Sequence, residues 1–164
     1  MNRRALIACA VGTATFASAG VVASAGGLVL ARLAIVGGAL AACASYDLVQ
    51  RRIPNRIVIP ATAACTALTL AAGLLILVAG LTTVLLLLFV SLCWPAALGM
   101  GDVKLALLLV VGLDGSALRA LALGLVFAAF AGLLRVVRDG GTAWRASLPL
   151  APFLAAGALF AVIA

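Results

Sequence analysis

The most informative segment of the sequence is LTTVLLLLFVSLCWPAAL, residues 81–98, which contains no charged side chain. An α-helix that crosses the hydrocarbon core of a membrane needs about 20 consecutive apolar residues, and this segment has nearly that length. The rest of the chain is similar: 67% of its 164 residues are hydrophobic and 9% are charged, with a mean hydropathy of +1.38. Its apolar runs are continuous, whereas the strands of a membrane barrel alternate. The sequence therefore predicts an all-α polytopic membrane protein.

On either side of that segment, charged and turn residues divide the chain into further apolar stretches, which we interpret as membrane spans. The seven predicted spans are Ala5–Ser24, Leu28–Tyr46, Ile57–Ala79, Leu81–Leu98, Val103–Leu113, Ala117–Leu134 and Leu148–Ala164. We find no repeat and no low-complexity tail. The predicted architecture is thus one membrane-embedded domain over residues 1–164, a bundle of six to seven transmembrane helices.

The first span has a second interpretation, as a cleaved signal peptide. Arg3 and Arg4 precede its apolar region, and Ala23-Ser24-Ala25 resembles a small-residue cleavage site. Removal of the segment at about 5–24 would leave a core at about 28–164 with six spans. The loop that follows Tyr46 faces the same side of the membrane in both cases.

The basic residues predict the orientation of the spans. With the amino terminus in the cytoplasm, nine of the eleven Lys and Arg residues fall on the cytoplasmic side, and only Arg32 and Arg119 fall outside. This bias is the positive-inside pattern, which favours a bacterial inner-membrane protein with its carboxyl terminus outside. The formal charge of +7 is dispersed between apolar spans, so it predicts contact with membrane lipids and not a nucleic-acid patch.

Two of the four acidic residues lie at the ends of predicted spans. Asp47 follows the second span, Asp102 precedes the fifth, and alternation of the spans puts both on the cytoplasmic face. Two neighbouring carboxyl groups resist simultaneous ionisation, so one keeps a proton while the other is charged, as aspartyl proteolysis requires. Asp114, before Gly115, is interpreted as a turn residue, and Asp139 as a solvated partner in an Arg-rich loop over 135–147.

The absence of histidine limits the possible chemistry. Peptide hydrolysis within membranes uses a Ser with a His, a zinc ion held by His and acidic ligands, or paired Asp residues. The chain contains no His, and its four cysteines form no C-x-x-C pair, so we interpret them as small buried hydrophobic residues. No metal and no cofactor is predicted. Neither G-x-S-x-G nor a phosphate-binding loop is present.

Residues around each acid have predicted structural tasks. Gly99 and Gly101 permit close backbone approach and unusual torsion angles beside Asp102. Pro54 would break a helix that continued from the second span, and Asn55 can cap the start of the third. Each of these short motifs is weak evidence by itself. Their joint occurrence on one predicted membrane face strengthens the hypothesis of an active site.

Three segments together resemble the type IV prepilin peptidases, which are intramembrane aspartyl proteases of the GxGD kind. Asp47 with Arg51, Arg52, Ile53, Pro54 and Asn55 resembles the family's acid followed by R-R-I-P-N. Gly99 to Lys104 resembles G-x-G-D-x-K, with Met100 where Gly or Ala is frequent. Residues 149–157, with Pro149, Pro152 and Phe153, resemble P-x-x-P-F-L-A-x-G. Order and spacing agree from Asp47 to the end of the chain.

The resemblance implies that Asp47 and Asp102 are the catalytic pair and that Gly99, Gly101 and Lys104 belong to the active-site loop. It also implies a prepilin or prepilin-like substrate, whose leader is cut at the cytoplasmic face without a metal. The amino-terminal domain with C-x-x-C motifs found in long family members is missing from this sequence, so the chain resembles the short peptidases that serve tight-adherence (Flp-type) pili or related filaments, and the resemblance does not imply the methylation of the long members.

Some alternatives stay open at the level of the sequence. A small proton-coupled transporter or channel would place its acids near the membrane midplane, and a non-catalytic pilus-assembly component could keep the same fold. The basic residues near the acids, Arg51, Arg52, Arg56 and Lys104, either anchor the chain to anionic headgroups or act on the acids and on a substrate carboxylate.

Overall fold

A computed structural model describes residues 3–22, 26–70, 75–93, 99–139 and 149–163. These residues form seven α-helices and, between α5 and α6, a short 3₁₀ helix, Asp114–Ser116. The helices are α1 Arg3–Val22, α2 Gly27–Gln50, α3 Asn55–Leu70, α4 Leu75–Cys93, α5 Met100–Leu113, α6 Ala117–Asp139 and α7 Ala151–Ile163. There is no strand in the described part, and α1, α2 and α6 are long and apolar enough to cross a membrane. The prediction of an all-α polytopic membrane protein is confirmed.

Several predicted helix ends are wrong. The second span was expected to end at Tyr46, but α2 continues to Gln50, so Asp47 lies within its last turn. The boundary expected near Gly80 is also wrong, because α4 begins at Leu75 and its backbone stays helical through that glycine. Transmembrane helices tolerate Gly better than soluble ones do, so Gly80 does not end the helix.

The loop predicted over residues 135–147 begins later than expected. Helix α6 continues to Asp139, so this residue ends a helix instead of lying in a loop. The remainder of that loop, with Arg145 and Ser147, lies outside the described residues. Helix α7 begins at Ala151, three residues after the predicted start of the last span.

Helix α5 is the centre of the bundle. It packs against α2, α3, α4, α6 and α7, and Leu105, Leu108 and Leu109 are completely buried. A helix that is apolar on every face is stable when other helices surround it, and a run of 10–14 apolar residues is typical of a buried core helix. This explains why the fifth predicted span was so short.

The cysteines differ in their environments. Cys43 and Cys65 are fully buried, as predicted, whereas Cys9 is half-buried and Cys93 is exposed. The interpretation of all four as buried hydrophobic residues is therefore wrong for Cys93. The sequence could not distinguish it, because Cys93 faces outward at the end of an apolar helix.

Glycine permits the close packing of α7 on α6. A Cβ atom added at Gly157 would lie 2.5 Å from the carbonyl oxygen of Ala120 and still closer to the amide nitrogen of Gly124. Small residues let transmembrane helices approach each other closely, and here they set the position of α7 against the bundle.

We expect Gly157→Ala to lower the stability of the detergent-solubilised protein by about 1–3 kcal/mol, because the new methyl group overlaps backbone atoms that cannot move independently. The measurement is the temperature of half-unfolding. Gly27→Ala is the matched control, since a Cβ atom there meets nothing within 4 Å. Equal melting temperatures for the two variants would contradict the packing described.

Candidate active site

A cavity of about 460 Å³ lies at the end of the bundle where α2 ends and where α3, α5 and α7 begin. It joins residues from all three segments that carry the family resemblance, which lie at 47–55, 99–104 and 149–157. Its lining residues are Asp47, Arg51, Arg52, Ile53, Asn55, Gly99, Gly101, Asp102, Lys104, Pro149 and Leu150. The other selected residues, Pro54, Pro152 and Phe153, do not line it.

Asp47 is held from two sides. Its side chain is 8% exposed, and its Oδ2 atom accepts a hydrogen bond of 3.1 Å from the backbone amide of Ala151, at the start of α7. Its own carbonyl oxygen accepts the amide of Arg51 at 3.0 Å, which closes the last turn of α2. The first amides of a helix have no partner within that helix, so the start of α7 is a natural donor for a carboxylate.

Arg51 turns the chain out of α2. Its φ of 50° and ψ of 40° lie in the left-handed region, where glycine or asparagine is usual at the end of a helix. Among the described residues it is the only residue other than glycine with a positive φ. The turn directs Arg52 and Ile53 along the cavity, and the sequence contains no signal for it.

Asp102 lies in the first turn of α5, ahead of the apolar residues Val103–Leu113 that we interpret as the span. Its amide donates a 3.0 Å hydrogen bond to the carbonyl oxygen of Gly99. Burial, and then the nearby charge of Asp47, raise the pKa of the Asp102 carboxyl to about 6. The charge of Asp47 therefore favours a protonated carboxyl at Asp102, which is the direction expected for neighbouring acids.

The glycines beside Asp102 leave room for neighbouring atoms and do not adopt unusual torsion angles. Gly101 is helical, and a Cβ atom there would lie 2.9 Å from Cδ1 of Ile53. Neither Gly99 nor Gly101 has a φ in the left-handed region, so that part of the prediction is wrong. The contact of Gly101 with the Ile53 side chain packs the start of α5 against the segment after α2, and close approach of a substrate to these glycines stays a prediction.

Lys104 connects α5 to α3. Its Nζ atom donates a 2.9 Å hydrogen bond to Oδ1 of Asn55. The prediction that Asn55 caps α3 is wrong, because Asn55 is already the first helical residue and the carbonyl oxygen of Pro54 accepts the amides of Ile57 and Val58. The side chain of Asn55 instead links the first segment to the second.

The third segment places the start of α7 beside Asp47. Pro149 and Leu150 line the cavity, and Pro152 occupies the first turn of α7, where a missing amide hydrogen costs nothing. The amide of Phe153 donates to the carbonyl oxygen of Leu150 at 3.1 Å and begins the helical pattern. Among the described residues, no group of three or more His, Cys, Asp or Glu could hold a metal ion.

We expect N,N′-dicyclohexylcarbodiimide, which labels protonated carboxyl groups, to modify Asp102 with a half-point near the pKa of about 6. Labelling should fall as the pH rises through that value, because the carboxyl then ionises. In Asp47→Asn the half-point should move to lower pH, since one cause of the raised pKa is removed while burial remains. Asp102→Asn supplies the background, and an unchanged half-point would contradict the interaction.

Comparison with known proteins gives one match. A family model described as the type IV leader peptidase family matches residues 33–137. This range contains Asp47–Asn55 and Gly99–Lys104 and ends before Pro149. No curated protein and no solved structure matches the chain. Since the family model covers more than half of the sequence, the chain belongs to the type IV leader peptidase family.

Proposed function

We propose that the protein is an intramembrane aspartyl endopeptidase with Asp47 and Asp102 as its catalytic pair. Membership of a leader peptidase family supports the class of reaction. The observation that favours the aspartyl type is the common cavity, since Asp47 at the end of α2 and Asp102 at the start of α5 both line it. The raised pKa of Asp102, caused in part by Asp47, also supports a shared proton.

In the proposed mechanism a water molecule lies between the two carboxyl groups. The ionised carboxylate takes a proton from this water, which attacks the carbonyl carbon of the scissile peptide bond. The neutral carboxyl group donates a hydrogen bond to the carbonyl oxygen and later protonates the leaving nitrogen. The pair titrates as a unit, so we assign neither role to a particular Asp, and the raised pKa of the Asp102 carboxyl agrees with one proton held by the pair.

We further propose that the substrate is a type IV prepilin-like precursor, of the tight-adherence (Flp) kind, cut at the cytoplasmic face of the inner membrane. The family supports a prepilin-like substrate in general. The cytoplasmic face is supported by the bias of Lys and Arg among the predicted loops. Residues 1–164 would form a single peptidase domain, with α1 packed along α2.

The basic residues give the cavity a cationic rim beside the two acids. Arg51, Arg52 and Lys104 line it. We propose that Arg52, which is exposed, contacts anionic lipid headgroups, and that Lys104 keeps the starts of α5 and α3 together through Asn55. Lys104 is not among the causes that shift the pKa of Asp102.

The first test is cleavage of a co-expressed prepilin in membranes by the native chain, Asp47→Asn and Asp102→Asn at matched protein levels. We expect each variant to lose at least about 100-fold in rate, because an amide can neither accept nor supply the required proton. Asp114→Asn is the control, since Asp114 begins the 3₁₀ helix at the opposite end of α5. It should cleave like the native chain.

Full activity of either folded Asp variant would exclude the catalytic pair. Failure of the native chain to cut any prepilin offered would favour a transporter or a non-catalytic assembly component. Gel electrophoresis distinguishes cleavage from no cleavage in each case, because removal of the leader shortens the prepilin.

A second test concerns the amide that holds Asp47. Ala151→Pro removes this donor at a helix position that accepts proline, and Ala151→Gly keeps it. We expect the Pro variant to lose about tenfold or more in kcat and the Gly variant to stay within about twofold, because a hydrogen bond to a charged group orients the carboxylate. Equal kcat values for the two folded variants would show that the Ala151 amide has no part in the mechanism.

A further inference from the structure

A second cavity shares one lining residue with the candidate active site. It has a volume of about 310 Å³ and lies between α3 and α5. We call it the α3–α5 groove, and its lining residues are Val58, Ile59, Thr62, Ala63, Thr66, Lys104 and Leu107. Lys104 also lines the candidate active site, so the two cavities meet at this residue.

The groove follows the middle part of α3, on the side of α5. Its α3 residues extend from Val58 to Thr66, which corresponds to about 12 Å at 1.5 Å per residue, or about two helical turns. The Lys104 to Asn55 hydrogen bond connects α5 and α3 at the end nearest the two acids. A segment that leaves the active site past Lys104 would therefore enter the groove lengthwise.

The chemistry of the groove fits an apolar helix. Its lining contains the exposed Ile59, the half-buried Leu107 and the small residues Thr62, Ala63 and Thr66. Small residues and Thr at a transmembrane surface allow a second helix to approach closely. The hydroxyl groups of Thr62 and Thr66 donate to carbonyl oxygens of α3 at 2.8 Å, so their hydrogens need no water.

We propose that the α3–α5 groove binds the apolar transmembrane stalk of the substrate, while its leader lies in the cavity with Asp47 and Asp102. This inference rests on the proposed function and names the surface by which the substrate is held. A substrate with an apolar stalk reaches the enzyme sideways through the bilayer. Among the described cavities, the groove shares a lining residue with the candidate active site and also opens along a helix face.

Neighbouring alanines on α3 provide a matched test. Ala63 and Ala64 are both exposed, but Ala63 lines the groove and Ala64 does not. We expect Ala63→Trp to raise the KM for a membrane-inserted prepilin with its own stalk about tenfold at unchanged kcat, because the indole ring occupies space in the groove that the stalk needs. Ala64→Trp should stay within about twofold. Melting temperatures of both variants establish that they fold.

Binding can be tested without cleavage by placing a photoreactive residue with a small aliphatic diazirine side chain, which leaves room for the stalk, at position 63 or 64 and irradiating membranes that contain the prepilin. Crosslinks from position 63 to the stalk, with few from position 64, support the groove. Equal crosslinking from both positions, or crosslinks from position 63 to lipid alone, would overturn it, as would equal KM values for the two Trp variants.

The two proposals fail separately. If Asp47→Asn and Asp102→Asn still cut the prepilin while position 63 crosslinks to the stalk, the catalytic pair is wrong and the groove remains. If both Asp variants are inactive and position 63 gives no crosslink to the stalk, the peptidase mechanism remains and the groove is wrong.

Discussion

A helix of 14 residues with no polar face needs neighbours along its whole length, and α5 has them in α2, α3, α4, α6 and α7. Its central position determines where its first turn can lie. Asp102 starts a helix that other helices enclose, so its carboxyl group is more buried than a surface acid, and this burial is the main cause of its raised pKa. The chemical character of Asp102 therefore depends on the packing of α5.

The second acid lies in the last turn of a helix, whereas Asp102 lies in the first turn of one. Asp47 lies at the end of α2, and its carboxylate reaches the amide of Ala151, 104 residues later in the sequence. The position of that amide depends on the close contact of Gly157 with Gly124, which sets α7 against α6. The cavity is thus formed by helix ends, whose unpaired backbone groups and polar side chains are available because the helices stop there.

Much of this arrangement could be predicted from the sequence, and the reasons differ between residues. The continuous apolar runs predicted the helices, and the alternation of the spans predicted that Asp47 and Asp102 lie on the same side of the membrane. In the structure both residues line one cavity. The helix ends were harder to predict. Gly80 is a residue type that often marks a turn, and the charge of Asp47 suggested that the span ends before it, although both helices continue through these residues.

Other features have no signal in a single sequence. The amide of Ala151 is a backbone group, so the identity of its residue does not reveal it. The left-handed conformation of Arg51 occurs at a residue type that rarely adopts it. The partner of Asn55 is Lys104, 49 residues later, and local capping rules consider only the nearest turn.

The contact between Gly101 and Ile53 shows how two short motifs depend on each other. Ile53 occupies the space that a side chain at position 101 would need. The size of the residue permitted at one position therefore depends on the size of the residue at the other. A larger residue at position 101 would be tolerated only with a smaller one at position 53. In relatives of this chain, the two positions should therefore vary as a pair of constant total volume, although neither residue takes part in the proposed proton transfer.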